Sequence, residues 1–237
     1  MSLKSKAQSP KLPFVFINMA MTADGKIATA NRAVHSFGSA RDLGHLYELR
    51  ATADAVMCGA RTVEISQSIL GTGGEKFRRQ RLGRGLAEYN LRVIVSGSGS
   101  IDPAAEIFKK RFSPIIVLTT ERASAKKIKL LRELADEVKI FGATEIHFHA
   151  ALRWLRVKWN VHRLLCEGGG ELNAALFRAG LVAEINLTIC PKVFGGRTAP
   201  TIADGLGFPD LAHGARFELT SIKRKKAELF TVFSRRK

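Results

Sequence analysis

The clearest chemical signal in the sequence is a carboxylate and three glycines at the end of an apolar segment. Residues 163–166 predict a short buried strand, Glu167 follows it, and residues 168–170 are all glycine. Residues 171–179 then have the spacing of a helix. Glycines permit backbone angles that side chains forbid, and a helix beginning directly after them presents free N–H groups and the positive end of its dipole. The junction suits a phosphate or pyrophosphate, although a plain tight turn is the alternative.

A similar junction follows a second predicted strand. Residues 53–58 form an apolar segment that ends in Gly59, and Arg61 and Thr62 come directly after it. A hydroxyl residue at this point can cap a short helix. Open α/β sheets bind their ligands at the carboxyl ends of parallel strands, so we expect this junction and Glu167 to face the same edge of a sheet.

Arg50 is a third candidate for a ligand-binding residue, because it continues the apolar stripe of a predicted helix. Ser39 and Asp42 have the spacing of a capping box, so the helix should begin there, and Leu46 and Tyr47 lead its stripe towards Arg50. The guanidinium could bury its stem and reach water, or it could hold a carboxylate or phosphate in bidentate fashion. The residues alone leave both readings open.

Two other polar regions carry weaker signals. Residues 66–90 contain five glycines and several arginines, which we interpret as a solvated basic loop, with a mobile basic lid as the alternative. His147 and His149 are spaced like alternate residues on one strand face. Since no further ligands lie near them, no metal site is expected.

The elements that must position these residues alternate between strands and helices. This order predicts an α/β fold with a mainly parallel central sheet, beginning with a strand at residues 14–21. Residues 216–222 and 227–234 predict an antiparallel pair at the sheet edge, connected by residues 223–226. The chain begins with mostly polar and basic residues, so we expect a flexible basic tail at residues 1–12. No composition break divides the rest, so we expect one domain over 13–237.

Charge and composition restrict the possible partners. The formal net charge of +17, from 38 basic and 21 acidic residues, attracts polyanions and phosphorylated ligands. A basic nucleic-acid-binding protein is therefore an alternative, but the aromatic residues lie mainly in apolar strands and no such motif is present. No segment has transmembrane length or the form of a signal peptide, and the three cysteines lie in or beside apolar runs. We expect a cytoplasmic protein without membrane contact.

Several motifs, taken together, resemble the reductase family of riboflavin biosynthesis, the C-terminal domain of the bifunctional deaminase-reductase. They are, in order, residues 18–28 with Asp24-Gly25-Lys26, residues 49–63 with Leu-Arg-Ala and Gly-Ala-Arg-Thr-Val, residues 167–172 with Glu-Gly-Gly-Gly-Glu-Leu, and residues 191–196 with Pro and Phe-Gly-Gly. The likeness implies a three-layer dihydrofolate reductase-like fold, with helices on both faces of the sheet and antiparallel C-terminal edge strands. It also implies a homodimer, and a stand-alone reductase because no zinc deaminase signature precedes it.

The resemblance further implies NADPH as the cofactor and a phosphorylated pyrimidine as the substrate, whose ribosyl group is reduced to ribityl. By this resemblance, residues implied to bind the cofactor are Gly59, Arg61, Thr62, Ser66, Ser96, Gly168, Gly169, Gly170, Glu171, Leu172 and Asn173. Arg61 is assigned to the adenosine 2′-phosphate. Those implied at the substrate are Glu167, Asp24 and Lys26 as catalytic candidates, with Asn18, Arg50 and Leu70 binding it. Arg50 is expected to reach the phosphate or its neighbours, and the proton donor is left open between Glu167, Lys26 and a water.

The chain departs from the family pattern after its Gly-Ala-x-Thr-Val motif. An acidic pair and a proline are typical there, whereas this sequence has Ser66, Gln67 and Ser68 and keeps only Leu70. The change leaves the substrate open between the deaminated uracil form, the diamino pyrimidinone form, and a pterin or related heterocycle reduced on the same scaffold. A protein that binds NADPH as a sensor without turnover is a further alternative.

Overall fold

Nine strands form one sheet in the computed structural model, which describes residues 12–32 and 37–236. In chain order they are β1 (Phe14–Thr22), β2 (Ala55–Gly59), β3 (Leu91–Val95), β4 (Ile115–Thr119), β5 (Glu137–Ile140), β6 (Arg163–Cys166), β7 (Val182–Cys190), β8 (Phe217–Lys225) and β9 (Glu228–Arg235). Their spatial order is β5-β4-β3-β2-β6-β1-β7-β9-β8. All pairings from β5 to β7 are parallel, and β9 joins β7 and β8 in antiparallel fashion. The expected mainly parallel sheet with antiparallel C-terminal edge strands is confirmed.

Helices cover both faces of this sheet. In chain order they are α1 (Ala40–Arg50), α2 (Ala60–Ser66), α3 (Glu75–Leu82), α4 (Glu106–Lys109), α5 (Ala125–Leu134), α6 (Phe148–Lys158) and α7 (Gly170–Arg178). None of those in the described ranges is long and apolar enough to cross a bilayer. Alternate residues of a strand enter different apolar cores: Val15 and Ile17 join the core under α6 and α7, while Phe16 joins the core on the opposite face.

The flexible tail predicted for residues 1–12 lies outside the described residues, except for Leu12. The hairpin at the C-terminus forms as expected, but its first strand is longer than predicted. β8 continues through Lys225, so most of the predicted basic connection is strand, and Lys226 takes the positive φ of the tight turn. The two strands therefore pair almost up to the turn.

The prediction of an irregular solvated loop over residues 66–90 is wrong in its central part. Residues 75–82 form α3, and Arg81 on this helix is buried, although the sequence pattern indicated an exposed arginine. Its guanidinium donates hydrogen bonds to the carbonyl oxygens of Arg50, Ala53 and Ala87. A buried arginine is tolerated here because the final carbonyl groups around the end of α1 need donors.

The histidine pair also differs from the prediction. His147 is the N-cap residue of α6 and His149 lies in its first turn, so the two do not alternate on a strand face. Apolar residues recur at helical spacing along this segment, and Phe148, Ala151 and Leu152 are buried. The helical spacing of the apolar residues therefore determines the structure here, and the two-residue spacing of the histidines does not.

Candidate functional site

A cleft of about 1030 Å³ opens towards the carboxyl ends of the central strands. Its walls come from β1, α1, the junction of β2 with α2, the loop after β3 and the start of α7. Parallel strands direct the turns that follow them to one edge, so segments far apart in sequence meet here. The two glycine junctions predicted to face the same edge do so.

Bare backbone forms part of the cleft wall. The Gly59 N–H donates a 2.8 Å hydrogen bond to the Gly168 carbonyl, which joins the two glycine junctions directly. Neither α2, after Gly59, nor α7, after Gly169, has a side chain capping its N-terminus. A Cβ on Gly169 would come within 3.1 Å of the Thr62 hydroxyl, so a side chain there would crowd the wall. The uncapped N–H groups at the start of α7 suit an anionic group.

Most residues predicted at the cofactor line this cleft. They are Gly59, Arg61, Thr62, Ser66, Ser96, Gly169, Gly170, Glu171 and Leu172. Gly168 and Asn173 lie behind the wall instead: Gly168 is buried with a φ of 80°, and the Asn173 amide donates to the Ile202 carbonyl at 2.9 Å. Asn173 thus fastens α7 to the chain near residue 202, a contact that local sequence patterns do not reveal.

Arg50 and Glu167 bind each other at the base of the cleft. Arg50 Nε and Nη2 donate to the two carboxylate oxygens of Glu167, each at 2.6 Å, and Nη1 donates to the Gly71 carbonyl at 2.5 Å. The two side chains are 6% and 11% exposed. Of the two readings that the residues left open for Arg50, the bidentate fork is confirmed, and its partner is a carboxylate of the same chain.

The electrostatics of this pair follow from its burial. Desolvation opposes the charge on Arg50, but the negative charge and hydrogen bonds of Glu167 outweigh it and raise the pKa of Arg50. Three of the five N–H donors of the Arg50 guanidinium are engaged within the protein. Arg50 also lines the cleft, and its expected contact with a substrate phosphate stays a prediction.

Asp24 and Lys26 do not line the cleft as the described residues form it. Asp24 accepts a hydrogen bond from the Thr22 hydroxyl at 2.5 Å and from the backbone N–H groups of Phe194 and Gly195. These bonds, led by that from Thr22, lower the pKa of Asp24. The ammonium group of Lys26 donates to the Ala199 carbonyl at 3.2 Å. Both residues hold the 190s loop against the turn after β1.

Asn18 and Leu70, both predicted at the substrate, are in different environments. Asn18 lines the cleft, and its side-chain oxygen is buried without a hydrogen-bond partner among the described residues. Leu70 is fully buried in the apolar core beneath α2 and does not line the cleft. An unpaired buried acceptor calls for a donor, so Asn18 is the better placed of the two to meet a ligand.

The segment that departs from the family pattern reaches the cleft. Ser66, Gln67, Ser68 and Ile69 all line it, and Gln67 ends α2 in the left-handed conformation. The Ser66 hydroxyl donates back to the Thr62 carbonyl at 2.6 Å. Hydroxyl and amide groups therefore stand at the cleft where two carboxylates are typical.

The predicted capping box at the start of α1 forms only in part. The Ser39 hydroxyl accepts from the N–H groups of Arg41 and Asp42, but the Ser39 N–H donates to Glu228 at 2.8 Å and not to Asp42. Asp42 lines the cleft. Sequence analysis identified Asp42 only as a cap, because the competing acid is 189 residues away.

Comparisons with known proteins agree with this architecture. The profile of the RibD C-terminal domain family matches residues 13–230. A protein of Methanothermobacter thermautotrophicus named 2,5-diamino-6-ribosylamino-4(3H)-pyrimidinone 5′-phosphate reductase is 33% identical over 87% of this chain and 91% of its own length. A protein of the same name from Aquifex aeolicus is 27% identical over 92% and 95% of the two chains.

Solved structures show the same fold. A pyrimidine reductase-like protein from Corynebacterium diphtheriae superposes with a TM-score of 0.83 and 18% identity, covering 95% of this chain and 92% of the other. The riboflavin biosynthesis reductase Rib7 of Saccharomyces cerevisiae gives a TM-score of 0.68 at 16% identity, with 95% and 90% covered. The fold described above is thus shared with these proteins.

Proposed function

Because the chain belongs to the RibD C-terminal domain family, we propose that it is an oxidoreductase of riboflavin biosynthesis that reduces a phosphorylated ribosylaminopyrimidine. The observation that carries the proposal is the similarity, over nearly the whole length of both chains, to a named pyrimidinone phosphate reductase. The buried Arg50–Glu167 pair at the base of a large cleft is consistent with it, since such clefts are the usual sites of small-molecule chemistry.

The proposed substrate is 2,5-diamino-6-ribosylamino-4(3H)-pyrimidinone 5′-phosphate. The alignments with relatives named for this substrate cover most of this chain and most of each relative. The alignment with a relative named RibD covers only about half of that relative's length. The deaminated uracil form is the competing substrate.

The cleft residues fit NADPH as the proposed cofactor. The uncapped start of α7 and the bare backbone at Gly59 and Gly169 would hold its pyrophosphate, and Thr62 and Ser96 would flank it. The exposed Arg61 would bind the 2′-phosphate. When bound, this nucleotide supplies the hydride for the reduction.

Glu167 is proposed to act as a fixed negative charge. Once the ribosylamine has opened, protonation of its imine produces a cation, and a buried carboxylate held by two hydrogen bonds from Arg50 would stabilise that charge without reorganising. Arg50 positions Glu167, and together with the Gly71 carbonyl it keeps the carboxylate in one orientation. Positioning and electrostatic stabilisation would supply most of the rate acceleration.

The test is to follow loss of NADPH absorbance with the purified protein and each of the two phosphoribosylamino pyrimidines, using NADH as a control. We expect turnover of the diamino form with NADPH. Turnover of the uracil form alone would correct the substrate, and turnover of a dihydropterin with neither pyrimidine would replace this proposal. Tight NADPH binding without any turnover would indicate a sensor. Dimerisation remains a prediction that analytical ultracentrifugation can test.

A further inference from the structure

The carboxylate of Asp42, at the start of α1, is not used in the helix cap, because Glu228 takes its place there. In a capping box, the acid at the position of Asp42 accepts a hydrogen bond from the N–H of the cap residue, here Ser39. Glu228 on β9 takes that place, because its two oxygens accept from the Ser39 N–H at 2.8 Å and from the Ser39 hydroxyl at 2.6 Å. The hydrogen bond from the Ser39 N–H, which Asp42 would accept in a capping box, is therefore accepted by Glu228 on β9. The Asp42 carboxylate does not take part in the cap.

The released carboxylate lies over Gly38 at the wall of the cleft. A Cβ on Gly38 would collide with the Asp42 carboxylate, so a glycine at this position makes room for it. Asp42 and Gly38 both line the cleft, together with Asn18 and Tyr47. A half-buried carboxyl group is thus presented to the same space as the unpaired oxygen of Asn18.

The charged and polar groups around Asp42 come from three elements. Glu228 faces it from β9, the Thr188 hydroxyl from β7 and His45 from its own helix. Burial raises the pKa of Asp42 and the charge of Glu228 acts in the same direction, while Thr188 and His45 act against them, with a net increase above the ordinary value. A substrate that covers Asp42 would remove further water and favour the neutral acid still more.

The two side chains that the sequence analysis offered as proton donors, Glu167 and Lys26, are held by other groups. Glu167 accepts hydrogen bonds from Arg50 at both of its carboxylate oxygens. Lys26 donates to the Ala199 carbonyl and does not line the cleft. Among the described residues, Asp42 is a cleft-lining acid whose surroundings raise its pKa above the ordinary value.

We propose that Asp42 is the proton donor of the reduction. This inference rests on the proposed function, because it requires an imine substrate. The anomeric carbon of the open-chain imine gains a hydride from the reduced nicotinamide, and the imine nitrogen gains the proton of the Asp42 carboxyl group. The C=N double bond becomes a C–N single bond, the nicotinamide is oxidised, and the Asp42 carboxylate then regains a proton from water.

The experiment compares the pH dependence of kcat for the wild-type protein, Asp42→Asn and Glu228→Gln. Asp42→Asn keeps the shape but has no acidic proton, so kcat should fall about 100-fold and the decline of kcat at high pH should disappear. Glu228→Gln removes a neighbouring negative charge, which lowers the pKa of Asp42 and moves that decline to lower pH. Glu133→Gln, at an exposed position of α5 away from the cleft, is the matched acid-to-amide control and should behave as wild type.

A second readout does not need turnover. Carbon-13 NMR of the carboxyl groups in the ligand-free protein should show Asp42 titrating above the ordinary aspartate range, and at lower pH in Glu228→Gln. Retention of kcat within about twofold in Asp42→Asn, with an unchanged pH profile, would overturn this proposal alone. Absence of turnover by the wild-type protein with any ribosylaminopyrimidine would overturn the proposed function and this inference with it.

Discussion

Arg50 and Glu167 lie 117 residues apart in the chain and form a bidentate ion pair with both hydrogen bonds at 2.6 Å. Arg50 ends α1 and Glu167 follows β6, so the pair ties a helix on one face of the sheet to the strand edge. Both side chains are largely removed from water. The same contact fixes the conformation of the proposed catalytic carboxylate and fastens the base of the cleft.

Replacing Arg50 with alanine should destabilise the protein by about 3–5 kcal/mol, because Glu167 would be left as an unpaired buried charge. Chemical unfolding in urea measures this directly. Arg41→Ala, at an exposed position of the same helix, should cost less than about 0.5 kcal/mol. The double variant Arg50→Met, Glu167→Met should recover much of the loss, and equal stability of Arg50→Ala and wild type would contradict the assignment.

Glu167→Gln should lower kcat by about 100-fold or more, since the negative charge is lost while the shape is kept. NADPH affinity, measured by fluorescence titration, should change little, because the pyrophosphate is assigned to the backbone of the glycine junctions. The circular dichroism spectrum should show a retained fold. An unchanged kcat would refute the role of Glu167 in turnover.

Arg61→Ala should weaken NADPH and leave NADH as it was. The Arg61 side chain is exposed at the cleft, and the described residues offer it neither a hydrogen bond nor an ion pair, so its guanidinium is available for a 2′-phosphate. We expect the KM for NADPH to rise about tenfold, the equivalent of one charge-assisted contact. Arg153→Ala, exposed on α6, is the control, and an equal effect on NADH would remove Arg61 from this role.

Arg81→Ala should destabilise the protein by about 1–3 kcal/mol, because the hydrogen bonds of a buried guanidinium around the end of α1 are lost. Asn90 still donates to two of the same carbonyl groups. Burial lowers the pKa of Arg81 to about 10, which reflects how little water reaches it. Arg79→Ala is the matched control on the same helix, since that side chain is 77% exposed and its ion pair with Glu75 is open to solvent. Similar unfolding midpoints for the two variants would contradict the structural role of Arg81.

Asp24 should make the loop at residues 194–195 sensitive to acid. Its pKa is held below the ordinary value of 3.8, chiefly by the Thr22 hydroxyl and then by the loop N–H groups. A depressed folded-state pKa means that the ionised form stabilises the loop above the unfolded-state pKa and that this effect is lost as the pH falls through the lower value. Amide NMR signals of Phe194 and Gly195 should therefore shift together at acidic pH in the wild type. In Asp24→Asn these signals should not follow such a titration.

Local patterns in the sequence determined the strands, the glycine junctions and the edge hairpin. Residues 14–21 and 163–166 form strands as their apolar patterns predicted, and the motifs identify the family. These features depend on neighbours within a few residues, so their periodicity and turn chemistry can be read directly. The glycine-lined wall of the cleft followed from the same patterns, because parallel strands bring such junctions to one edge.

The partners of the charged side chains were decided only by the tertiary structure. The sequence indicated a bidentate role for Arg50 without naming Glu167, assigned the cap of α1 to Asp42 where Glu228 acts, and treated Arg81 as solvated. A charged group binds whichever opposite charge or dipole the folded chain brings within hydrogen-bonding distance, and these partners come from distant segments. Sequence therefore determined where the cleft lies, and the three-dimensional packing determined which of its charged side chains are held by the protein and which remain available to a ligand.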